Sequence, residues 1–452
     1  MKGKYESPQQ RRPWPRLVTI ALVLTLAAAI LPAMGRDAPA PAGTMPSFSL
    51  PEDTVTTAPE ETTLPEKAVT ARATVASQGD LLMHATFFQK KYNPAARIGD
   101  GEYDFSSLFR YLSEYVNAAD YAAVNLETTL GGDAFPYQGN PTFNCPDAIV
   151  DAVKTAGYDL LLTANNHSYD TLMSGVNRTL EKCRESGLDT LGTRQSAEEK
   201  RYNIVDVNGI KIGMVCYTYT LTVEGGRPRL NDNAPMEKPE QINFFSVNNL
   251  QGFYSDMESI MADMHADGAE ATMLYIHWGK EYELAENETQ RQIAQQMCDL
   301  GFDVIVGGHP HVVQPMELLE SRTDPAHRTV CIYSLGNAVS NQRRHLMRLN
   351  TGHTEDGAVF TVTFEKYTDG SVTLTDCSVL PTWVHLYENA EGKNEYNILP
   401  IDPEKSAQWK ELFGISDTTC TQLQNSRERT MKIVEDGLTQ CQEYFAQQSG
   451  NQ

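Results

Sequence analysis

The chain has 452 residues, 40% of them hydrophobic, and a formal net charge of −22. The apolar content is ample for a core in one large domain or two ordinary ones. Lys2, Lys4, Arg11, Arg12 and Arg16 against Glu6 give the first sixteen residues a net charge of +4, leaving −26 on the rest. So acidic a body excludes a nucleic-acid partner, because phosphate is repelled and no counterions are released.

The basic segment 1–16 leads into "LVTIALVLTLAAAILPAMG", residues 17–35, which carries no charge. As a helix it would span about 28 Å, close to the hydrocarbon thickness of a bilayer. Positive charge before it and acids after it predict a cytoplasmic N-terminus and a body outside the membrane. Two readings stay open: a single-pass signal anchor, or a signal peptide cleaved near "PAMG" or "APA", which would make the protein secreted. Residues 36–70 hold six prolines, seven threonines and scattered acids. That composition cannot build a packed face and predicts a disordered linker.

From residue 71 the pattern is α/β. "ARATVASQGD" reads as a strand, "FSSLFRYLSEYVNAA" as a helix, "DYAAVNLE" as a strand and "PDAIVDAVKTAG" as a helix stopped by glycine. The strand "YDLLLTANNH", the helix "GVNRTLEKCRESG" and the short strand "DTLGT" follow. Residues 203–220 form a hairpin around Asn208-Gly209. Residues 221–250 read as a long polar loop able to rim a site. Two helix–strand pairs come next, "MESIMADMHADG" with "ATMLYIHWG" and "NETQRQIAQQMCDLG" with "FDVIVGGHPH". The strand "RTVCIYSLGN" and a hairpin around Asp369-Gly370 bring the domain to about residue 400, and 401–452 is a polar helical tail. No two of the eight cysteines form a C-x-x-C pair, which excludes a zinc ribbon. Cys216 and Cys331, inside apolar runs, read as buried thiols.

The strand ends carry the chemistry. Five finish on acid–base or metal-capable residues: Asp80, Glu127, the run Asn165-Asn166-His167, His277, and His309 with His311. Ligands of α/β sheets lie beyond the carboxyl ends of strands. A single histidine there is unremarkable, but five N- and O-bearing ends in succession predict one shared site.

In that order, "GDLLMH", "NLETTL", "ANNHSYD", "HWGKEYE", "GGHPHVVQPME" and "IYSLGN" closely resemble the CapA family of poly-gamma-glutamate capsule proteins, a branch of the calcineurin-like metallophosphoesterases. The resemblance spans about 74–341 and implies a four-layer α/β/β/α sandwich of the metallo-dependent phosphatase type over residues 71–400. It implies Asp80, Glu127, Asn166, His277, His309 and His311 as ligands of one or two divalent ions (Mn, Fe, Zn or Mg). Glu127 would stand as the bridging carboxylate and His167 as general acid. His84, Asn125 and Asn165 are candidate substrate contacts. The sequence departs from the superfamily at two points: Leu82 stands where its first motif has a histidine, and "NLE" replaces its Gly-Asp bridging motif. The number of ions therefore stays open. So do two functions. One is a surface metallohydrolase acting on an envelope polymer or phosphoester. The other is a non-catalytic factor that binds or exports poly-gamma-glutamate, with other capsule-synthesis proteins as partners.

Overall fold

A computed structural model describes residues 67–231 and 233–450. The membrane segment expected at 17–35, and nearly all of the linker, lie outside the described residues. Among those described, no helix is long and apolar enough to cross a membrane.

The strands, in chain order, are β1 (Val69–Leu81), β2 (Tyr121–Leu126), β3 (Leu160–Leu162), β4 (Asp189–Leu191), β5 (Tyr202–Val207), β6 (Ile210–Thr220), β7 (Thr222–Glu224), β8 (Arg227–Arg229), β9 (Phe244–Ser246), β10 (Ala271–His277), β11 (Val304–Gly308), β12 (Met316–Glu320), β13 (Arg328–Ile332), β14 (Asn337–Val339), β15 (Asp356–Tyr367), β16 (Val372–Glu388) and β17 (Asn394–Pro400). The helices are α1 (Ser113–Val116), α2 (Ala148–Ala156), α3 (Leu172–Glu185), α4 (Leu250–Ala266), α5 (Glu288–Leu300), α6 (Trp409–Phe413) and α7 (Asp417–Gly450).

The fold is α/β, as the alternation predicts. One sheet runs β17-β16-β15-β1-β2-β3-β4, with β14 also on β1; the other runs β12-β13-β11-β10-β6-β5, with β9 also on β6. β1 to β4 are mutually parallel, and so are β6, β10, β11 and β13, so each sheet gathers its carboxyl ends along one edge.

Residues alternate along a strand between two faces, and here the two faces bury into different cores. On β2, Tyr121 and Ala123 join a core shared by both sheets, whereas Ala122, Val124 and Leu126 pack with α2 residues such as Ile149 and Val153. On β10, Ala271, Met273 and Tyr275 face the shared core, while Leu274 and Ile276 pack with Met257 of α4 and Ile293 of α5. Ser77 and Tyr275 hydroxyls meet at 3.1 Å across the gap between the sheets. Continuing this alternation by one step places Asn125 and His277 on the shared side.

Several elements differ from expectation, among them the short strands β7, β8 and β9 within the 221–250 segment expected as a loop, and the unforeseen β12 and β17. The helix predicted over 105–119 is a 3₁₀ turn, Ser106–Phe109, followed by the single turn α1. Ser113 Oγ donates to the Phe109 carbonyl at 3.0 Å, a local bond that competes with a continuous helix. The polar tail contains α7, which buries Val434, Leu438 and Cys441 in the shared core. Gly437 lets it approach β12, since a Cβ there would meet the Met316 carbonyl oxygen at 2.0 Å.

Candidate metal centre

The "GGHPH" run shows why glycines precede the histidines. A Cβ on Gly307 would lie 2.0 Å from the Tyr333 carbonyl oxygen, and one on Gly308 would lie 2.9 Å from Asp80 Oδ1. Glycine at both positions lets β11 pass close to the end of β13 and to the Asp80 carboxylate of β1. Beyond it, His309 and His311 take positive φ values of 97° and 55°. Such backbone is costly outside glycine and is tolerated where the surroundings over-determine it. Here the His309 N–H donates to Asp80 Oδ2 at 3.2 Å, and the Tyr282 N–H donates to the Pro310 carbonyl at 2.8 Å.

The ligand-type atoms fall into two groups. Glu127, His277 and His309 form one, and Asp80, Glu127 and His311 form the other; in each, the donor atoms lie within 4.8 Å of one another, and every residue is buried. Glu127 belongs to both. Its carboxylate is fully buried, yet neither oxygen has a hydrogen-bond partner. Its Oε1 stands 3.5 Å from His277 Nε2 and 3.8 Å from His311 Nε2. An unpartnered buried carboxylate costs several kcal/mol, and a divalent cation between these donors would remove that cost. His309 Nδ1 is likewise buried without a partner, while its Nε2 meets the Tyr219 hydroxyl at 3.1 Å. Tyr219 thus leaves Nδ1 as the nitrogen available to an ion, the orienting role a second hydrogen bond serves in metal-binding histidines. Asn166 Oδ1 lies 2.8 Å from His277 Nε2 and adds an oxygen to the first group. Carboxylate, imidazole and amide oxygen suit Mn, Fe, Zn or Mg ions.

Charge follows this geometry. Burial pushes the Asp80 carboxyl up, but the His311 bond and the charges of His311 and His277 outweigh it, and its pKa is lowered. Burial works against a charged His311, yet Glu127 and Asp80 hold its pKa up at about 9. His309, buried and facing His277 and His311, is pushed well below the usual imidazole value.

His167 stands on the turn after β3, apart from both groups. Its Nδ1 donates to Asp170 Oδ2 at 2.7 Å, and Phe143 packs edge-on against its ring at 4.6 Å. Burial lowers its pKa, but the Asp170 charge more than reverses this, so the pKa is raised above the usual imidazole value. Asn165 does not face outward: its Nδ2 donates to Asn125 Oδ1 at 3.0 Å and to the Leu126 carbonyl at 2.9 Å. Asn125 Nδ2 in turn donates to Asp80 Oδ1 at 2.8 Å. Asn125 thus braces Asp80 directly, and Asn165 braces Asn125. His84 belongs to neither group; its Nδ1 accepts from the Asn341 N–H at 3.2 Å, and burial drops its pKa to about 4. Leu82 is buried in the protein, so the position of the missing histidine supplies no ligand.

A cleft of about 630 Å³ opens beside Asn166 and His167, lined also by Asn140, Tyr219, Arg229, Asn231 and Glu281. The 221–250 segment forms part of this wall. Asp170, Tyr219 and Asn231 carry weight that the sequence reading did not assign. Asp170, three residues after His167 in "NNHSYD", and Tyr219, at the end of β6, had positional signals; Asn231 had none.

The model of the family described as bacterial capsule synthesis protein PGA_cap matches residues 74–342, more than half of the chain. The chain belongs to this family. All the candidate site residues named above lie inside the PGA_cap match, and α7 lies outside it. Among curated proteins, the PGA biosynthesis protein CapA of Bacillus subtilis (strain 168) is 30% identical over 264 residues, covering 55% of this chain and 63% of that protein. The capsule biosynthesis protein CapA of Bacillus anthracis is 29% identical over 246 residues, covering 53% and 55%. The match spans less than two thirds of either relative's length.

Proposed function

We propose that this chain is a metal-dependent hydrolase with the metallo-dependent phosphatase type of α/β/β/α sandwich, serving capsule synthesis at the cell surface. Its substrate would be an envelope polymer such as poly-gamma-glutamate, or a phosphoester. The names of the two CapA relatives support the capsule role. The observation that carries the hydrolytic reading is the bare Glu127 carboxylate shared by two donor groups.

Asp80, Glu127 and His311 would hold one ion; Glu127, Asn166, His277 and His309 would hold the other. When bound, such ions supply hydroxide at neutral pH and offset charge that develops in a displacement. The chain's own residues do the rest. Asp170 fixes the His167 ring through Nδ1 and raises its pKa, leaving Nε2 to donate to a leaving group in the adjoining cleft. Asn125 and Asn165 keep Asp80 in register with the His309 N–H. Tyr219 and Asn166 wall the cleft where the two groups meet it.

The test is elemental analysis of the full-length protein and of His309→Ala, paired with turnover on phosphodiester and poly-gamma-glutamate substrates. The wild type should hold divalent metal, the variant should lose part of it, and turnover should follow the metal. Equal metal content in the two would overturn the site assignment. Metal without turnover on any substrate would favour the binding or export role.

A further inference from the structure

We infer that Asn231, on the loop after β8, is a positioning residue that locks the Asn166 amide for ion binding; this rests on the metal-centre reading proposed above. An asparagine binds an ion only through Oδ1, and its amide can turn over unless a neighbour fixes it. Asn166 Nδ2 donates to Asn231 Oδ1 at 3.1 Å, which leaves Oδ1 facing His277 Nε2. Asn231 Nδ2 lies 3.3 Å from His167 Nδ1, whose proton already goes to Asp170, so the acceptor role toward Asn166 is the one that matters.

The loop is built to hold this residue still. Asn231 has a φ of 51°, a left-handed conformation that asparagine tolerates better than most residues. On either side, Leu230 and Met236 are buried against Tyr169, Met173 and Leu180. Asn233 Nδ2 donates to Asp170 Oδ1 at 2.8 Å, which leaves Oδ2 for His167. One loop therefore reaches both Asn166 and the partner of His167.

Calorimetric titration of the metal-free full-length chain with Mn(II) tests this. Asn231→Gly removes the amide but accepts the left-handed backbone. It should weaken Mn(II) binding about 10–100-fold, as loss of a residue that orients a ligand does. Asn231→Asp keeps an acceptor for Asn166 Nδ2 and should bind at least as tightly as wild type. Melting of the metal-free chain should be the same for all three. The proposal fails if the glycine variant binds like wild type, if the aspartate variant is as weak as the glycine one, or if both variants melt lower without metal. Absence of Mn(II) binding by the wild type would sink the metal-centre reading itself, and this inference with it.

Discussion

Glu127 buries a carboxylate that nothing in the protein bonds. Without an ion, Glu127→Gln relieves that burial but also removes a charge that holds the proton on His311, so the two effects oppose; with an ion, it should abolish the gain. Wild type should melt higher with Mn(II) than with chelator, by about 2.7 kcal/mol of added stability at a hundredfold excess over Kd. Glu127→Gln should melt at one temperature in both conditions, and a retained Mn(II)-dependent shift would count against the shared-carboxylate role. His311 gives a pH test. Its pKa of about 9 leaves it protonated at neutral pH in the ion-free protein. An ion must displace that proton, so affinity should rise with pH, by about tenfold per unit up to about pH 9, and then level off. Calorimetry across that range measures the slope; a flat profile would show that His311 is not a ligand. For His167, replacement by asparagine should lower turnover by about 10²–10⁴-fold on a substrate with a poor leaving group, with metal content unchanged. Full turnover in the variant would remove it as the general acid.

Among the elements, α7 shows that the tail beyond the family match is part of the domain's packing. Asp356, at the start of β15, is 2% exposed; it accepts from Arg429 Nε and Nη2, both at 2.7 Å, and from Ser426 Oγ at 2.6 Å. Arg429→Met leaves that carboxylate buried without its cation and should cost about 3–5 kcal/mol. Arg429→Met with Asp356→Asn should recover much of the loss, since the stranded charge is gone. Urea midpoints of the two variants decide this; equal losses would mean that the stranded Asp356 charge is not what Arg429→Met costs. The apolar face of α7 is legible in the sequence only as spacing. Its partners, Met316 of β12 and the β16 strand, lie far away in the chain, and local periodicity does not name them.

For the whole molecule, the reading of residues 1–35 as a membrane segment rests on an uncharged nineteen-residue run with basic residues before it. We propose that the domain lies outside the cytoplasmic membrane, anchored or secreted. Fractionation of intact cells should find the chain in the membrane, and deletion of residues 1–35 should leave it soluble in the cytoplasm. A full-length population found wholly in the medium, starting near residue 36, would select the cleaved signal peptide instead.

The sequence alone determined the α/β alternation and which strand ends carry the chemistry, though not every boundary: β3 stops at Leu162 and β13 at Ile332, short of the expected ends. Period-two and helical patterns are local, and so is the placing of Asp80, Glu127, His277, His309 and His311 at carboxyl ends. The five-fold recurrence made a common site legible before any contact was known. Only the tertiary structure decided that two sheets, facing one another across one core, bring His311 Nδ1 within 3.1 Å of Asp80 Oδ2 from 231 residues away. It also decided that Asn125 braces Asp80 and Asn165 braces Asn125, that Tyr219 leaves one nitrogen of His309 without a partner, and that Asn231 reaches Asn166 from a polar loop. The reason is physical. A side chain's face is set by its nearest neighbours along the strand. Its partners are set by sheet order and register, which arise from burial summed over the whole core and leave no local pattern to read.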